Sequence, residues 1–232
     1  MSRLGIVTGM LSEAACLGTA TTENSAVERP LVYCAGASAE RALEGARELT
    51  RSEVVGLVSF GIAGGLDPTV AVGDLVIADA VIDPNGRRFV TASSWCQAIR
   101  SALGDTLPVR TGPLAGADDV IATPADKARL FQATQAIAVD MESHAVATAA
   151  EEAGLPLLIL RVVADPAHRA IPESARVGLA PDGGTRPFAV IGKLMVRPWE
   201  TPAVWMLARD NRAAHESLRR VAALALAVAP TL

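Results

Sequence analysis

Short apolar runs rich in β-branched residues alternate with Ala-rich stretches along most of this chain, and that alternation restricts it to one class of architecture. LGIVTG from Leu4, LVYCAG from Leu31, VVGLVSF from Val54, AIAVDM from Ala136 and PLLILRVVAD from Pro156 read as strands. VVGLVSF is hydrophobic at nearly every position, as a strand covered on both faces must be. Between these runs lie predicted helices: a short one through Glu13, Ala14 and Leu17 capped by Ser12, one over Ser38–Thr50, and one over Glu142–Ala153. Thr123-Pro124 reads as an N-cap followed by proline at the first helical position. The expectation is one α/β domain over residues 1–232, with a mixed, mostly parallel central sheet flanked by helices.

The mixed character comes from DLVIADAVID, Pro84-Asn85-Gly86 and RRFV, which read as a β-hairpin turning at Asn-Gly. Gly61–Gly65 reads as a loop whose backbone can lie close to a ligand, and Pro166–Pro187 as one long loop. Phe188–Val196 is more apolar than a surface loop needs. It reads as a further strand or a subunit contact, or else as an apolar wall for a ligand. Thr201–Ala229 reads as an amphipathic helix.

Charge and composition remove several classes of function. The 232 residues carry 21 Lys and Arg against 25 Asp and Glu, a net charge of -4. Binding to a phosphate backbone needs the opposite balance, so nucleic acid is not an expected partner. Aromatic residues make up 3% of the chain, too few for a base-stacking platform. Cys16, Cys34 and Cys96 are widely spaced and form no CxxC pair, which predicts neither a disulfide framework nor a zinc ribbon. Cys16 and Cys34 read as core thiols. His144, His168 and His215 share no ligand spacing, and no metal is expected. With no signal-like run after Met1 and no span of roughly eighteen apolar residues, a cytoplasmic location is expected.

Three acids stand where strands end: Glu13, Glu142 and Asp165. In open α/β sheets ligands gather outside the carboxyl ends of strands. Carboxyl groups without a metal suit a reaction with a cationic transition state, of which glycosidic cleavage is the leading example. One acid protonates the leaving group, another activates water, and fixed negative charge favours an oxocarbenium sugar. Taken singly, each acid serves equally well as a helix cap or an ion-pair partner. Asp140 reads as structural, because strand alternation turns it away from Met141. GIAGGL lacks the GxGxxG spacing and the later acid of a nicotinamide site.

GIVTGMLSEA (Gly5–Ala14), FGIAGGL (Phe60–Leu66), VGDLVIAD (Val72–Asp79), AIAVDMES (Ala136–Ser143) and RVVADPA (Arg161–Ala167) follow one another in order. Together they resemble the nucleoside phosphorylase superfamily, and within it the methylthioadenosine/S-adenosylhomocysteine nucleosidase branch, over about Leu4–Asp165. The resemblance implies that Glu13 activates the attacking water and that Met141 packs on the sugar. It implies that Glu142 binds the ribose 2′ and 3′ hydroxyls and that Asp165 hands a proton to purine N7. That last role requires a desolvated carboxyl with a raised pKa. Met10, Ile62, Ala63, Gly64, Val120 and Ala164 complete the implied substrate-binding set.

No cofactor is implied. Phosphate stays open as a co-substrate through Arg41, Arg161 or an arginine of another subunit. Glu13, and the lack of arginine in Gly9–Leu17 and Phe60–Leu66, favour water. The family forms dimers through hexamers, so a homo-oligomer is expected.

The chain departs from the nucleosidase pattern at Ile62, where serine is usual, and at Ala164, where serine or threonine is usual. It departs again at Leu11 and Ser12, which replace acids. All of these changes lower polarity and fit an apolar 5′ substituent. GGTRPF and VRPWETPAVWMLARDNRAAH resemble the hopanoid-associated phosphorylase subgroup. That likeness implies release of adenine from an adenosylhopane-like nucleoside in hopanoid side-chain biosynthesis, with residues 166–232 shaping the 5′ pocket. Trp199, Trp205 and Met206 are candidates for peripheral membrane contact, and His168 for closing over the site. Two alternatives remain at this point: a housekeeping methylthioadenosine/S-adenosylhomocysteine nucleosidase, and a non-catalytic nucleoside or lipid binder.

Overall fold

The computed structural model describes residues 3–18, 29–178, 180, 182–225, 228 and 230. The first half of the chain forms β1 (Gly5–Thr8), α1 (Leu11–Leu17), β2 (Leu31–Cys34), α2 (Ala39–Thr50), β3 (Leu57–Gly65), β4 (Leu75–Ile82), β5 (Arg88–Val90) and α3 (Ser93–Leu103). The second half forms β6 (Val109–Gly116), α4 (Pro124–Thr134), β7 (Ala138–Asp140), α5 (Ser143–Ala153), β8 (Leu157–Asp165), α6 (Glu173–Arg176), α7 (Pro187–Val196) and α8 (Thr201–Ala225).

β2, β1 and β3 run parallel, and β3 continues in parallel to β8. From β8 the sheet passes antiparallel to β4, then parallel through β6 to β7, which returns antiparallel to β3. Strands β3, β8, β4, β6 and β7 therefore close a ring, and β5 hangs from β4 as a hairpin. The expected mixed, mostly parallel α/β sheet is observed.

β8 is apolar except for Arg161 and Asp165, and all nine of its residues are buried. Leu157, Ile159 and Val163 face one core, shared with Ala42 and Ala46 of α2 and Val146 and Ala150 of α5. Leu158, Leu160 and Val162 face the other core, shared with Trp95 and Ile99 of α3 and Leu218 and Val221 of α8. Strand alternation thus puts Arg161 and Asp165 on the face of Ile159 and Val163. The β3–β8 register shifts between Ala63 and Gly64, so that Gly61 pairs with Arg161 while Gly64 pairs with Asp165. Such a bulge bends a strand and re-aims its side chains.

The cap of α4 forms as the sequence predicts: Thr123 Oγ1 accepts the Asp126 N–H at 3.1 Å. Ser38, read from the sequence as the first helical residue, instead caps α2, its Oγ accepting the Arg41 N–H at 3.3 Å. Other expectations are corrected. Gly61–Gly65 is the end of β3 rather than a loop, because β7 and β8 both offer it main-chain partners. Phe188–Val196 is helical, with Pro187 opening α7 at a position where the missing N–H costs nothing. α1 starts from Met10, not Ser12, whose hydroxyl instead meets His215 Nε2 at 3.0 Å. The predicted loop Pro166–Pro187 contains α6. The predicted helix ending at Ala229 is helical to Ala225, and residues 226, 227 and 229 lie outside the described set. Among the described residues no helix is long and apolar enough to cross a membrane.

Candidate active site

Glu13 is the third residue of α1, and its carboxylate folds back over the helix start. Oε2 accepts the N–H groups of Gly9 and Met10, each at 2.8 Å, which satisfies donors that a helix N-terminus leaves unpaired. Oε1 accepts the N–H of Ile62 at 2.9 Å, tying α1 to the end of β3. This approach demands glycine at 61: a Cβ there would lie 2.5 Å from Arg161 Nη1 and 2.6 Å from Glu13 Oε1.

Arg161 lies behind the carboxylates, 1% exposed. Its Nε is 2.6 Å from Asp140 Oδ2 and its Nη2 is 3.1 Å from Glu142 Oε2. Nη2 also donates to Ser59 Oγ at 2.7 Å, and Nη1 to the Ile62 carbonyl at 3.3 Å. Asp140 accepts the Ser143 N–H at 3.1 Å as well as its hydroxyl, and it pairs with Arg161; it nevertheless lines the hollow together with Met141, so strand alternation does not turn it away from the site. Glu142 is the residue from which α5 starts, and a Cβ on Gly9 would lie 2.6 Å from its Oε1.

Burial governs the protonation of this group. It pushes Glu142 up to about 8, against the pull of Arg161 and with added repulsion from Asp140 and Glu13. It also raises Glu13, opposed by Arg161 and by the N–H groups of Ile62, Met10 and Gly9. Asp165 rises through burial too, opposed by Lys127 and Arg169. Lys127, fully buried on α4, donates to Asp165 Oδ2.

These side chains surround one hollow of about 190 Å³. Met10, Glu13, Ile62, Ala63, Gly64, Val120, Met141, Glu142 and Asp165, all named from the sequence, line it together. Ala164 lines instead an adjoining apolar groove of about 570 Å³, which shares Met10, Ile62 and Asp165 with the hollow. Val190, Ile191 and Leu194 of α7 and Val204 and Leu207 of α8 wall that groove.

The charged groups among the hollow's described lining residues are Glu13, Asp119, Asp140, Glu142 and Asp165, with neither Lys nor Arg. No described Lys or Arg of the lining offers a phosphate a direct contact, and Arg161 and Lys127 lie behind the carboxyl groups that they pair with. Arg41 donates to the Cys34 carbonyl at 3.4 Å and does not line the hollow.

His168 does not close over the site. It lines a separate depression with Leu66, Pro68 and Phe131. Cys16 is a core thiol as expected, whereas Cys34 is half-buried, its Sγ 3.7 Å from the Gly9 carbonyl. Asp119, Ile121 and Ile171 belong to the lining without having been singled out in the sequence. Lys127 was missed as well: an isolated lysine on a helix ordinarily reads as solvated.

Comparison with known proteins agrees with this architecture. The chain is similar to the 5′-methylthioadenosine/S-adenosylhomocysteine nucleosidase of Staphylococcus saprophyticus, at 28% identity over 127 residues, or 47% of this chain. The match spans 56% of that relative's length. Among solved structures, the Neisseria meningitidis nucleosidase in complex with methylthio-immucillin-A superposes with a TM-score of 0.75 at 16% identity, covering 97% of this chain and 98% of that one. The Colwellia psychrerythraea nucleosidase in complex with adenine gives 0.69 at 19% identity, covering 96% of each chain. The futalosine hydrolase of Helicobacter pylori gives 0.69 at 15%, covering 95% of this chain and 97% of that one. At these identities the structural likeness speaks for the fold. Residues 29–182 match the Phosphorylase superfamily, and the chain belongs to it.

Proposed function

We propose that this protein hydrolyses the N-glycosidic bond of an adenine nucleoside bearing a large apolar 5′ substituent, adenosylhopane-like, and releases adenine. The observation that carries the reading is the meeting of Glu13, Glu142 and Asp165 around one hollow that opens onto an apolar groove. Asp165 donates its proton to purine N7 as the electron pair of the C–N bond passes to the base. Glu13 takes a proton from the water that attacks C1′. Glu142 accepts hydrogen bonds from the ribose hydroxyls, and the surrounding carboxylates favour the positive charge that develops on the sugar. The burial that raises the Asp165 pKa supports its role as a proton donor. The all-acidic lining supports water over phosphate as the nucleophile.

The groove supports the apolar substituent. Burial of a hydrocarbon tail contributes about 25 cal/mol per Å², so walls such as Leu194 and Leu207 would dominate affinity. Phe188 and Met195 of α7, Trp199 in the turn that follows it and Trp205 of α8 are exposed. The segment 186–212 carries Arg186, Lys193, Arg197, Arg209 and Arg212 against Glu200 and Asp210, inside a chain of net charge -4. We assign this face to an anionic lipid surface, from which a tailed nucleoside would enter the groove.

Adenine release from methylthioadenosine, adenosine and adenosylhopane, with and without phosphate, tests the reading. The expected result is phosphate-independent release with the long-tailed substrate preferred. Preference for methylthioadenosine would indicate a housekeeping nucleosidase, and a phosphate requirement would indicate phosphorolysis. Binding without turnover would remove the enzyme reading.

A further inference from the structure

Lys127 sits in the first turns of α4, where Thr123 and Pro124 fix the helix start, and its side chain is 0% exposed. Its Nζ donates to Asp165 Oδ2, to the Pro166 carbonyl at 3.0 Å and to the Arg169 carbonyl at 3.2 Å. An ammonium group has three N–H donors and no acceptor. The three acceptors match that inventory, and a neutral amine would leave one unserved. Lys127 is therefore a fixed buried cation. Because it is not among the residues lining the hollow, it acts from behind Asp165.

Two consequences follow for the carboxyl group. Oδ2 is held by Lys127, which leaves Oδ1 as the oxygen available to the hollow that Asp165 lines. The grip also extends to the backbone of the segment just after β8, through Pro166 and Arg169, so the acid and its loop are set by one atom. The charged groups facing Asp165 are Lys127 from α4 and Arg169 from that segment, the latter paired with Asp210 of α8. β3 presents Gly64, which brings no charge, with an ideal Cβ position 3.2 Å from Oδ1.

We propose that Lys127 is a positioning residue for Asp165: it selects the oxygen that meets the purine and sets the upper pH at which the acid still holds its proton. This inference rests on the nucleosidase reading above. Burial raises the Asp165 pKa, and the ammonium held against Oδ2 opposes that rise, so losing Lys127 would let the acid keep its proton to higher pH.

The test is the pH profile of kcat for adenine release by the wild type and by Lys127→Met and Lys127→Arg, with thermal melts of each. A nearby opposite charge lowers a carboxyl pKa by about 1–3 units. Removing it in Lys127→Met should therefore move the alkaline limb up by about that much, while kcat at neutral pH falls. Lys127→Arg should return the limb toward its wild-type position. If Lys127→Met gives no cooperative melt, Lys127→Gln, whose two N–H groups still serve the Pro166 and Arg169 carbonyls, carries the same expectation. An unmoved alkaline limb in a folded, active variant overturns the role of Lys127 and leaves the nucleosidase reading intact. A wild type that releases no adenine overturns both.

Discussion

The main-chain N–H of Ile62 donates to Oε1 of Glu13 at 2.9 Å, so the backbone of residue 62, not its side chain, holds the glutamate. Gly9 and Met10 hold its other oxygen, so Glu13 is fixed without a hydroxyl at position 62. Glu13→Gln removes the base, and its NH2 group cannot accept the main-chain N–H that one carboxylate oxygen now serves. It should lower adenine release by about 10²–10⁴-fold, with no recovery on adding phosphate, and lower Tm as a buried donor loses its partner. Ile62→Ser should stay within about tenfold of wild type, because the backbone contact survives.

Asp165→Asn should abolish measurable turnover of adenosine-type substrates while the protein still folds cooperatively. Asparagine can accept from Lys127 through its carbonyl, so the structural tie survives and the proton donor does not. In the wild type, activity should fall as pH rises through the raised pKa of Asp165, since the deprotonated acid cannot serve N7. A steady-state pH series checks this, and a rate that climbs steadily into alkali would contradict it.

Glu142 links the site to stability. A carboxyl pushed up to about 8 binds its proton more tightly in the folded than in the unfolded chain. Its contribution is most favourable below its unfolded value near 4.5 and is lost as pH rises through 8. Melts of Glu142→Gln against wild type should show the variant gaining relative Tm between those limits. The same variant should lose preference for ribosyl over 2′-deoxyribosyl substrates, measured as the ratio of kcat/KM.

The groove is tested by Leu194→Asp, which puts a charge on a wall built from Val190, Ile191, Leu194 and Leu207. KM for a long-tailed nucleoside should rise by tenfold or more, about 1.4 kcal/mol. Turnover of adenosine, which has no tail to bury, should hold. A parallel loss on both substrates would show that the groove does not read the substituent.

Liposome flotation addresses the outer face. Trp199, 69% exposed, and Trp205, 65% exposed, should bring the wild type up with anionic vesicles more than with neutral ones. Trp199→Ala should weaken that recovery, and absence of binding by either protein would remove the lipid assignment.

Much of this arrangement was legible in the chain. The apolarity of residues 157–165, broken only by Arg161 and Asp165, announced a strand covered on both faces, and the acid ending it lies in the hollow beside Glu13 and Glu142. Arg161 was read from the sequence only as a candidate phosphate contact, whereas it anchors Asp140 and Glu142 and is not among the hollow's described lining residues. The strand character of Gly61–Gly65 was not, because glycine reads locally as a turn, and only pairing with β7 and β8 extends the strand. β6 was hidden similarly by Pro113 and its glycines. α3 carries Trp95, Ile99 and Leu103 at helical spacing, all buried, a signal left unread in the sequence. Lys127 gave no sign, since its burial depends on carbonyl groups about forty residues further along.

The closed ring and the α7–α8 pair come from separate stretches of chain, and so they can vary separately. The three acids proposed for bond cleavage lie at or before position 165, whereas most of the groove wall lies after position 170. A chimera that exchanges only the residues after position 170 with those of a compact-substrate relative would bring a new appetite for 5′ groups to a chamber that keeps Glu13, Glu142 and Asp165.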